Sequence, residues 1–296
     1  MRKDIFSESE RLANIAKYLR RTFELWGYKE IFLPTIEEFN RELRKGTKFS
    51  YNNEFYIIKP DLTSQILVNL KAPKKLKLYY ISEVLDGGVK GEWQAGVEYI
   101  GGDITKMAVE VLLTVITSLE ALGIEDFYID VGSLGMWKNA IKGIEEFETE
   151  VFKALTSRNF EIIEKLPINK KKKEELWRLF NFRGKSCEYE KLNKIIEIID
   201  DERIFIDFGT IRPLPYYSDI IFEVYSSKLG KPLGGGGEYI FKGTSAFGFA
   251  FDLSALSKLA GGKLEKSRKK IGGDLQKAYR LARRLVKLGV PVEVEE

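Results

Sequence analysis

The chain has 296 residues, 44% hydrophobic and 31% charged, with a formal net charge of +4. That length allows one or two domains, and that apolar content makes a folded core and excludes a disordered chain. It holds no histidine and a single cysteine, Cys187, which excludes Ser-His-Asp and Cys-His catalysis, histidine-ligated metals, a thiolate zinc cage and an internal disulfide.

Ser7 and Glu10 form an S-x-x-E capping box, predicting a helix that starts there. Leu12, Ile15, Ala16, Leu19, Phe23 and Trp26 recur at helical spacing before Gly27 stops the helix. Residues 28–33 read as a strand that Pro34 ends. A second strand over 55–59 runs into Asp61 and Thr63, either of which can cap a helix around 65–70. Strands over 77–84 and 94–100 flank the turn Asp86-Gly87-Gly88 and form a hairpin. Asp103 caps a helix through Leu122, Gly123 stops it, and 126–131 returns to strand. Strands this close, joined by turns, predict an antiparallel sheet with helices on one face.

Residues 137–200 change character and read as a helical insertion rich in Lys and Glu. Its run Lys170-Lys171-Lys172-Lys173 is a solvated helix start or loop. Strand pattern returns over 204–208 and 216–225. The four glycines 234–237 invite a phosphate-loop reading, but no GxxxxGK[ST] pattern is present and strand-like residues follow, so a close backbone approach or bulge is expected. Residues 247–256 close this part. From Asp274 a last helix runs to Leu288, with Arg280, Arg283, Arg284 and Lys287 as a basic stripe. RNA or an acidic partner could use that stripe, but a solvated face is the more ordinary explanation. A strand begins at Pro291. No apolar run reaches the ~18 residues of a membrane span, and the polar N-terminal residues predict no secretory signal. A cytoplasmic location is therefore expected. The high charge content and scarce glutamine fit a thermophile.

Side chains two and four apart on a strand share a face. Gln94, Gly96 and Glu98 therefore make a polar floor with room above the glycine. Asp61 and Thr63 add a carboxylate and a hydroxyl, Arg212 a fork for a carboxylate, and Tyr216, Tyr217 and Tyr239 ring walls with polar tips. Together they suit a zwitterionic amino acid, although scattered polar residues on strands more often face solvent.

Several stretches resemble class II aminoacyl-tRNA synthetases of the histidyl type. Residues 26–37, WGYKEIFLPTIE, are similar to motif 1; 59–63, KPDLT, to the R-P-[ED]-x-T stretch; and 94–98, QAGVE, to the end of motif 2. Residues 212–217, RPLPYY, resemble R-G-L-D-Y-Y, with Phe222-Glu223 as its continuation; 236–239, GGEY, resemble G-G-R-Y; and 248–253, GFAFDL, resemble motif 3. The matches follow family order across 10–256. The resemblance implies an α+β fold: an antiparallel sheet flanked by helices, with a core over 1–136 and 201–262 and a helical insertion over 137–200. Residues 263–296 would form a truncated helix-and-strand piece of an anticodon-binding domain. It also implies that Asp61 and Thr63 hold the ammonium of bound histidine and that Gln94 and Arg212 hold its carboxylate. Glu98 and Tyr217 would read the imidazole, and Tyr216 and Tyr239 would line the cavity.

Departures from the family bear on activity. The motif 2 arginine that grips the ATP α-phosphate falls at Asp86, and the motif 3 arginine falls at Ala255. Each charge-assisted bond is worth roughly 1.5–3 kcal/mol, so losing both costs about two to four decades in affinity. Pro213 and Asp219 replace glycines and could reshape the histidine cavity. A synthetase-like body without ATP chemistry resembles the regulatory subunits of short-form ATP phosphoribosyltransferase. That resemblance implies no catalysis and no cofactor or metal. It further implies a separate catalytic subunit as partner, histidine as effector either in this cavity or at the contact with that subunit, and a homodimer within a hetero-octamer. The alternative is a synthetase paralogue that binds tRNA or other RNA without aminoacylation; an amide-forming ligase would need a phosphate clamp that the motifs do not provide.

Overall fold

The computed structural model describes residues 5–43, 45–71, 75–85, 90–212, 216–260 and 268–295. They fall into two compact units, Met1–Ala260 and Gly261–Glu296.

In the first unit, helix α1 (Ile5–Leu25) begins before the expected cap, so Ser7 lies in its first turn. Ile15, Leu19 and Phe23 form its fully buried face. Gly27, at φ +80°, ends the helix and lets Tyr28 N bond back to Phe23 O at 3.0 Å. The strand expected over 28–33 shrinks to β1 (Lys29–Glu30). Beyond it the chain leaves the main sheet for β2 (Ile36–Glu38), which joins the hairpin of β3 (Thr47–Tyr51) and β4 (Glu54–Ile58) in a sheet of its own. Asn52 and Asn53, both at positive φ, make that hairpin's two-residue turn. Asp61 caps α2 (Leu62–Asn69).

The hairpin of β5 (Leu76–Leu85) and β6 (Gly91–Ile100) is in continuous antiparallel register; Asp86, in its turn, lies outside the described residues. Asp103 caps α3 (Ile104–Ala121), and β7 (Tyr128–Ser133) follows. Next come α4 (Leu134–Ala140), a 3-10 turn, α5 (Glu148–Thr156), α6 (Glu161–Glu164) and α7 (Lys170–Phe180). Trp137, Ile141, Val151, Leu155, Ile163 and Leu176 give these elements a local core. The lysine run opens α7 behind its Asn169 cap. A two-residue strand, β8 (Arg183–Gly184), interrupts the helical stretch before α8 (Glu190–Ile199).

Then come β9 (Ile204–Asp207), β10 (Tyr217–Tyr225), β11 (Gly234–Phe241), β12 (Thr244–Asp252) and α9 (Leu253–Leu259). The nine-stranded sheet runs β1-β5-β6-β12-β11-β10-β7-β9-β8. It is antiparallel except for the pairs β1–β5 and β7–β9, which the expectation of an antiparallel sheet did not include. Helix α1 packs on α3 and α9, and α3 on α8 and β12. Phe222, Phe247, Phe249 and Phe251 are buried, and the Phe23 ring meets that of Phe249 edge-on.

The four glycines are a regular part of β11, hydrogen-bonded on both sides. A Cβ on Gly236 would sit 1.9 Å from Gly248 O, and one on Gly237 2.5 Å from Ile220 O. Close approach of neighbouring strands, not phosphate binding, explains this run.

In the second unit, β13 (Lys269–Ile271) pairs in parallel with β14 (Val292–Val294), and α10 (Leu275–Lys287) connects them. Ala278, Ala282 and Ile271 form its small core. No helix among the described residues is long and apolar enough to cross a membrane.

Candidate ligand-binding site

A cavity of about 780 Å³ opens on one side of the main sheet, and all eight predicted site residues line it: Asp61, Thr63, Gln94, Glu98, Arg212, Tyr216, Tyr217 and Tyr239. They come from four places in the chain. The N-terminus of α2 brings Asp61 and Thr63, and β6 brings Gln94 and Glu98 on one face, as strand parity requires. Arg212 and Tyr216 precede β10, which opens with Tyr217, and β11 supplies Tyr239. Gly96, between the two polar β6 residues, leaves room that the Tyr80 hydroxyl fills, 2.6 Å from where a Cβ would stand.

Glu98 sits at the centre and is 1% exposed. Thr63 Oγ1 donates to its Oε1 at 2.6 Å, and Tyr239 Oη to its Oε2 at 2.7 Å. Burial pushes its carboxyl up to about 7, against the downward pull of those two hydroxyls, with Asp61 adding a smaller upward push. Burial also raises the Tyr80, Tyr216, Tyr217 and Tyr239 hydroxyls, keeping them protonated as donors. The Tyr216 ring meets Tyr217 at 4.8 Å and Tyr239 at 6.2 Å, both edge to face, so the three form one wall.

Asp61 turns both oxygens to Ser64, accepting from its N at 2.9 Å and from its Oγ at 2.6 Å. Its carboxylate is thereby fixed in orientation at the cavity wall. The Arg212 guanidinium packs on Gly235, where a Cβ would lie 2.3 Å from Nη1. Its Nη1 stands 3.5 Å from Glu223 Oε1, and its Nε is buried without a hydrogen-bond partner among the described residues. Burial raises the Glu223 carboxyl and Arg212 opposes it. The site thus offers acceptors and hydroxyls at one place and a guanidinium fork at another, as a zwitterion requires.

The position aligned with the motif 3 arginine behaves differently. Ala255 is fully buried in α9 and does not line the cavity; its N–H donates to Asp252 Oδ1 at 3.0 Å. Asp219 does not line the cavity either. It accepts from Ser133 Oγ, Gly135 N and Tyr189 Oη, tying β10 to α4 and to the residue before α8. The expectation that it could reshape the pocket directly is therefore not met. Pro213 lies outside the described residues.

The sequence reading missed Arg41, Lys45 and Lys48, which also line the cavity. They lie in a stretch without regular periodicity, and only the fold brings it here. Tyr80 was missed as well, though its parity with Leu78 and Ser82 on β5 was available. Glu223 was legible only as part of a motif.

A family model described as histidyl-tRNA synthetase matches residues 5–256. A histidine--tRNA ligase from Methanocaldococcus jannaschii is 29% identical over 79% of this chain and 68% of its own length. An ATP phosphoribosyltransferase regulatory subunit from Clostridium novyi is 30% identical over 81% of this chain and 68% of its own. Among solved structures, a chain of the ATP phosphoribosyl transferase (HisG:HisZ) complex from Thermotoga maritima superposes with a TM-score of 0.68 at 18% identity, covering 85% of this chain and 98% of that one. At that identity the last comparison speaks to the fold. With most of its length inside the matched model and regulatory subunits among its relatives, the chain belongs to the histidyl-tRNA synthetase family.

Proposed function

We propose that the chain is a non-catalytic regulatory subunit of a short-form ATP phosphoribosyltransferase. Its partner is a separate catalytic subunit, which needs it for activity, and histidine in the cavity is the feedback effector. One observation carries this reading. The amino-acid half of a synthetase site lines a single cavity, while the position that would carry the motif 3 arginine is a buried alanine outside it. In this reading Asp61 and Thr63 hold the ammonium, Glu98 and Tyr217 read the imidazole, Gln94 and Arg212 take the carboxylate, and Tyr216 and Tyr239 close the wall. Without an arginine to stabilise charge at the ATP α-phosphate, activation of the amino acid loses its largest electrostatic contribution. The names of the Clostridium relative and of the Thermotoga complex support the same role. Phe32 and Phe55, 85% and 69% exposed near the motif 1 stretch, support a homodimer, here within a hetero-octamer in the cytoplasm.

Allostery requires that histidine bind two states of the complex with different affinity. Co-expression with a short-form catalytic subunit tests this: phosphoribosyl transfer and its inhibition by histidine should appear together. Histidine-dependent ATP–pyrophosphate exchange by the isolated chain would refute the reading. A second reading, a tRNA-binding paralogue, draws on the ligase relative and on the exposed Arg280, Arg283, Arg284 and Lys287 of α10. It requires tRNA affinity that falls steeply with salt.

A further inference from the structure

Arg212 comes to the cavity at the end of a short strap, 208–212, that leaves β9, and the strap is seated on the helical elements α4 to α7. Trp137 of α4 donates its indole N–H to Phe208 O at 2.6 Å. Phe208 N donates to Phe182 O, two residues past α7, at 3.3 Å. A Cβ on Gly209 would stand 2.7 Å from both Arg158 Nη1 and Phe180 O, so glycine lets the strap lie this close. Arg158 Nη2 reaches Thr210 Oγ1 at 3.5 Å. Ile211 packs against the local core of α4–α7 and also lines the cavity. Asp207 Oδ1 accepts from Gly209 N at 2.7 Å and from Thr210 N at 3.2 Å, which fixes the start of the strap. Every strap residue before Arg212 thus touches the helical elements.

Arg158 stands where its backbone would favour another residue. Helix α5 ends with Arg158 N bonded to Leu155 O at 3.1 Å and Asn159 N to Ala154 O at 2.9 Å, a Schellman turn whose left-handed residue is commonly glycine. Arg158 holds that place at φ +50°. Glycine would relax the turn but bring no guanidinium to the strap. Burial raises the Glu223 carboxyl, and Arg212 and then Arg158 oppose it. One acid on β10 therefore feels both the guanidinium in the cavity and that of Arg158, which does not line the cavity.

A binding group is held precisely only when packing and hydrogen bonds lock what supports it. We propose that Arg158 and Trp137 are positioning residues: they seat the strap so that Arg212 presents its fork to a ligand carboxylate, and they couple the cavity to the packing of α4–α7. By reciprocity, a carboxylate on Arg212 tightens the strap on its seat. This coupling rests on the amino-acid reading of the cavity, whereas the seat itself does not.

Calorimetric titration of the full chain with histidine and with histidinol, which carries a hydroxymethyl group in place of the carboxylate, tests the coupling. Arg158→Gly should weaken histidine binding about three- to tenfold, the worth of one hydrogen bond, and leave histidinol binding unchanged. Arg158→Lys should recover part of the loss, and Trp137→Phe should show the same selectivity for the carboxylate. Lys153→Ala, exposed on α5, should alter neither affinity. A merely structural role would weaken both ligands alike. That result overturns the assignment, as does histidine binding that Arg158→Gly and Trp137→Phe leave intact. Amide exchange at Gly209 and Thr210 reads the seat without any ligand: both variants should speed it about tenfold, and unchanged exchange overturns the seat. Faster exchange in a chain that binds no histidine counts against the effector reading alone.

Discussion

Tyr239 on β11 donates its hydroxyl to Glu98 on β6 across the strand between them, at 2.7 Å. The bond passes over Gly248 of β12, where a Cβ would sit 1.8 Å from Glu98 Oε2. Thr63 holds the other carboxylate oxygen from the start of α2. Two strands and a helix are thus joined at one buried acid, over a third strand.

The pH dependence of stability should carry the signature of Glu98. Its folded-state carboxyl stands at about 7, against an ordinary 4.5. Between those values the folded chain keeps a proton that the unfolded chain gives up. This group's contribution is therefore fully present below about pH 4.5 and lost as pH rises through about 7. Glu98→Gln removes that loss. Its stability relative to the unsubstituted chain should rise by about 3 kcal/mol from pH 4 to pH 8, measured by urea unfolding. A difference that stays constant with pH would contradict the assignment.

Gly248→Ala should be among the costliest small substitutions in the sheet. The added methyl meets Glu98 Oε2 and, at 2.9 Å, Val97 O, so the acid must swing away from Tyr239 or the strands must part. A loss of about 1–3 kcal/mol is expected from overpacking, together with weaker histidine binding. Gly243→Ala is a useful contrast: its site has open space but a φ of +82°, so it should strain the turn and leave the cavity unaffected.

Arg212→Ala should weaken histidine binding by about 1.5–3 kcal/mol, or one to two decades. It also leaves Glu223 without its cation. Arg212→Lys keeps the charge but loses the planar fork and should recover only part of the affinity. Calorimetry alongside circular dichroism separates lost binding from lost fold.

Asp219→Ala should destabilise the chain without removing a cavity-lining side chain. It strips the acceptor from Ser133 Oγ, Gly135 N and Tyr189 Oη, at a cost of at least about 2 kcal/mol. Asp219→Asn keeps one acceptor oxygen and should cost less. Thermal unfolding compares the two, and equal losses would argue against the hydrogen-bond account.

Much of this arrangement can be read from residue order. Helix caps at Asp61 and Asp103 depend on contacts three residues away, so a short window holds all the information. Parity put Gln94 and Glu98 on one face because β6 is regular from end to end. Where tertiary contacts decide, reading from order fails. Ser7 has the chemistry of a cap, yet α1 starts before it. Residues 31–33 have a strand's composition, but the chain turns away to a second sheet. In β13, Lys269-Lys270-Ile271 carries no alternation to reveal a strand. Arg41, Lys45 and Lys48 share no periodicity, and only the fold brings them to the cavity.

The glycines at 234 and 235 give one side of the cavity a surface made of main chain. Such a wall has no rotamers. A ligand of a different outline could be accommodated only by side chains projecting from elsewhere: the three tyrosines, Arg212, or Arg41, Lys45 and Lys48. Variation that retunes what this protein recognises should therefore gather at those positions and spare the strand beneath them.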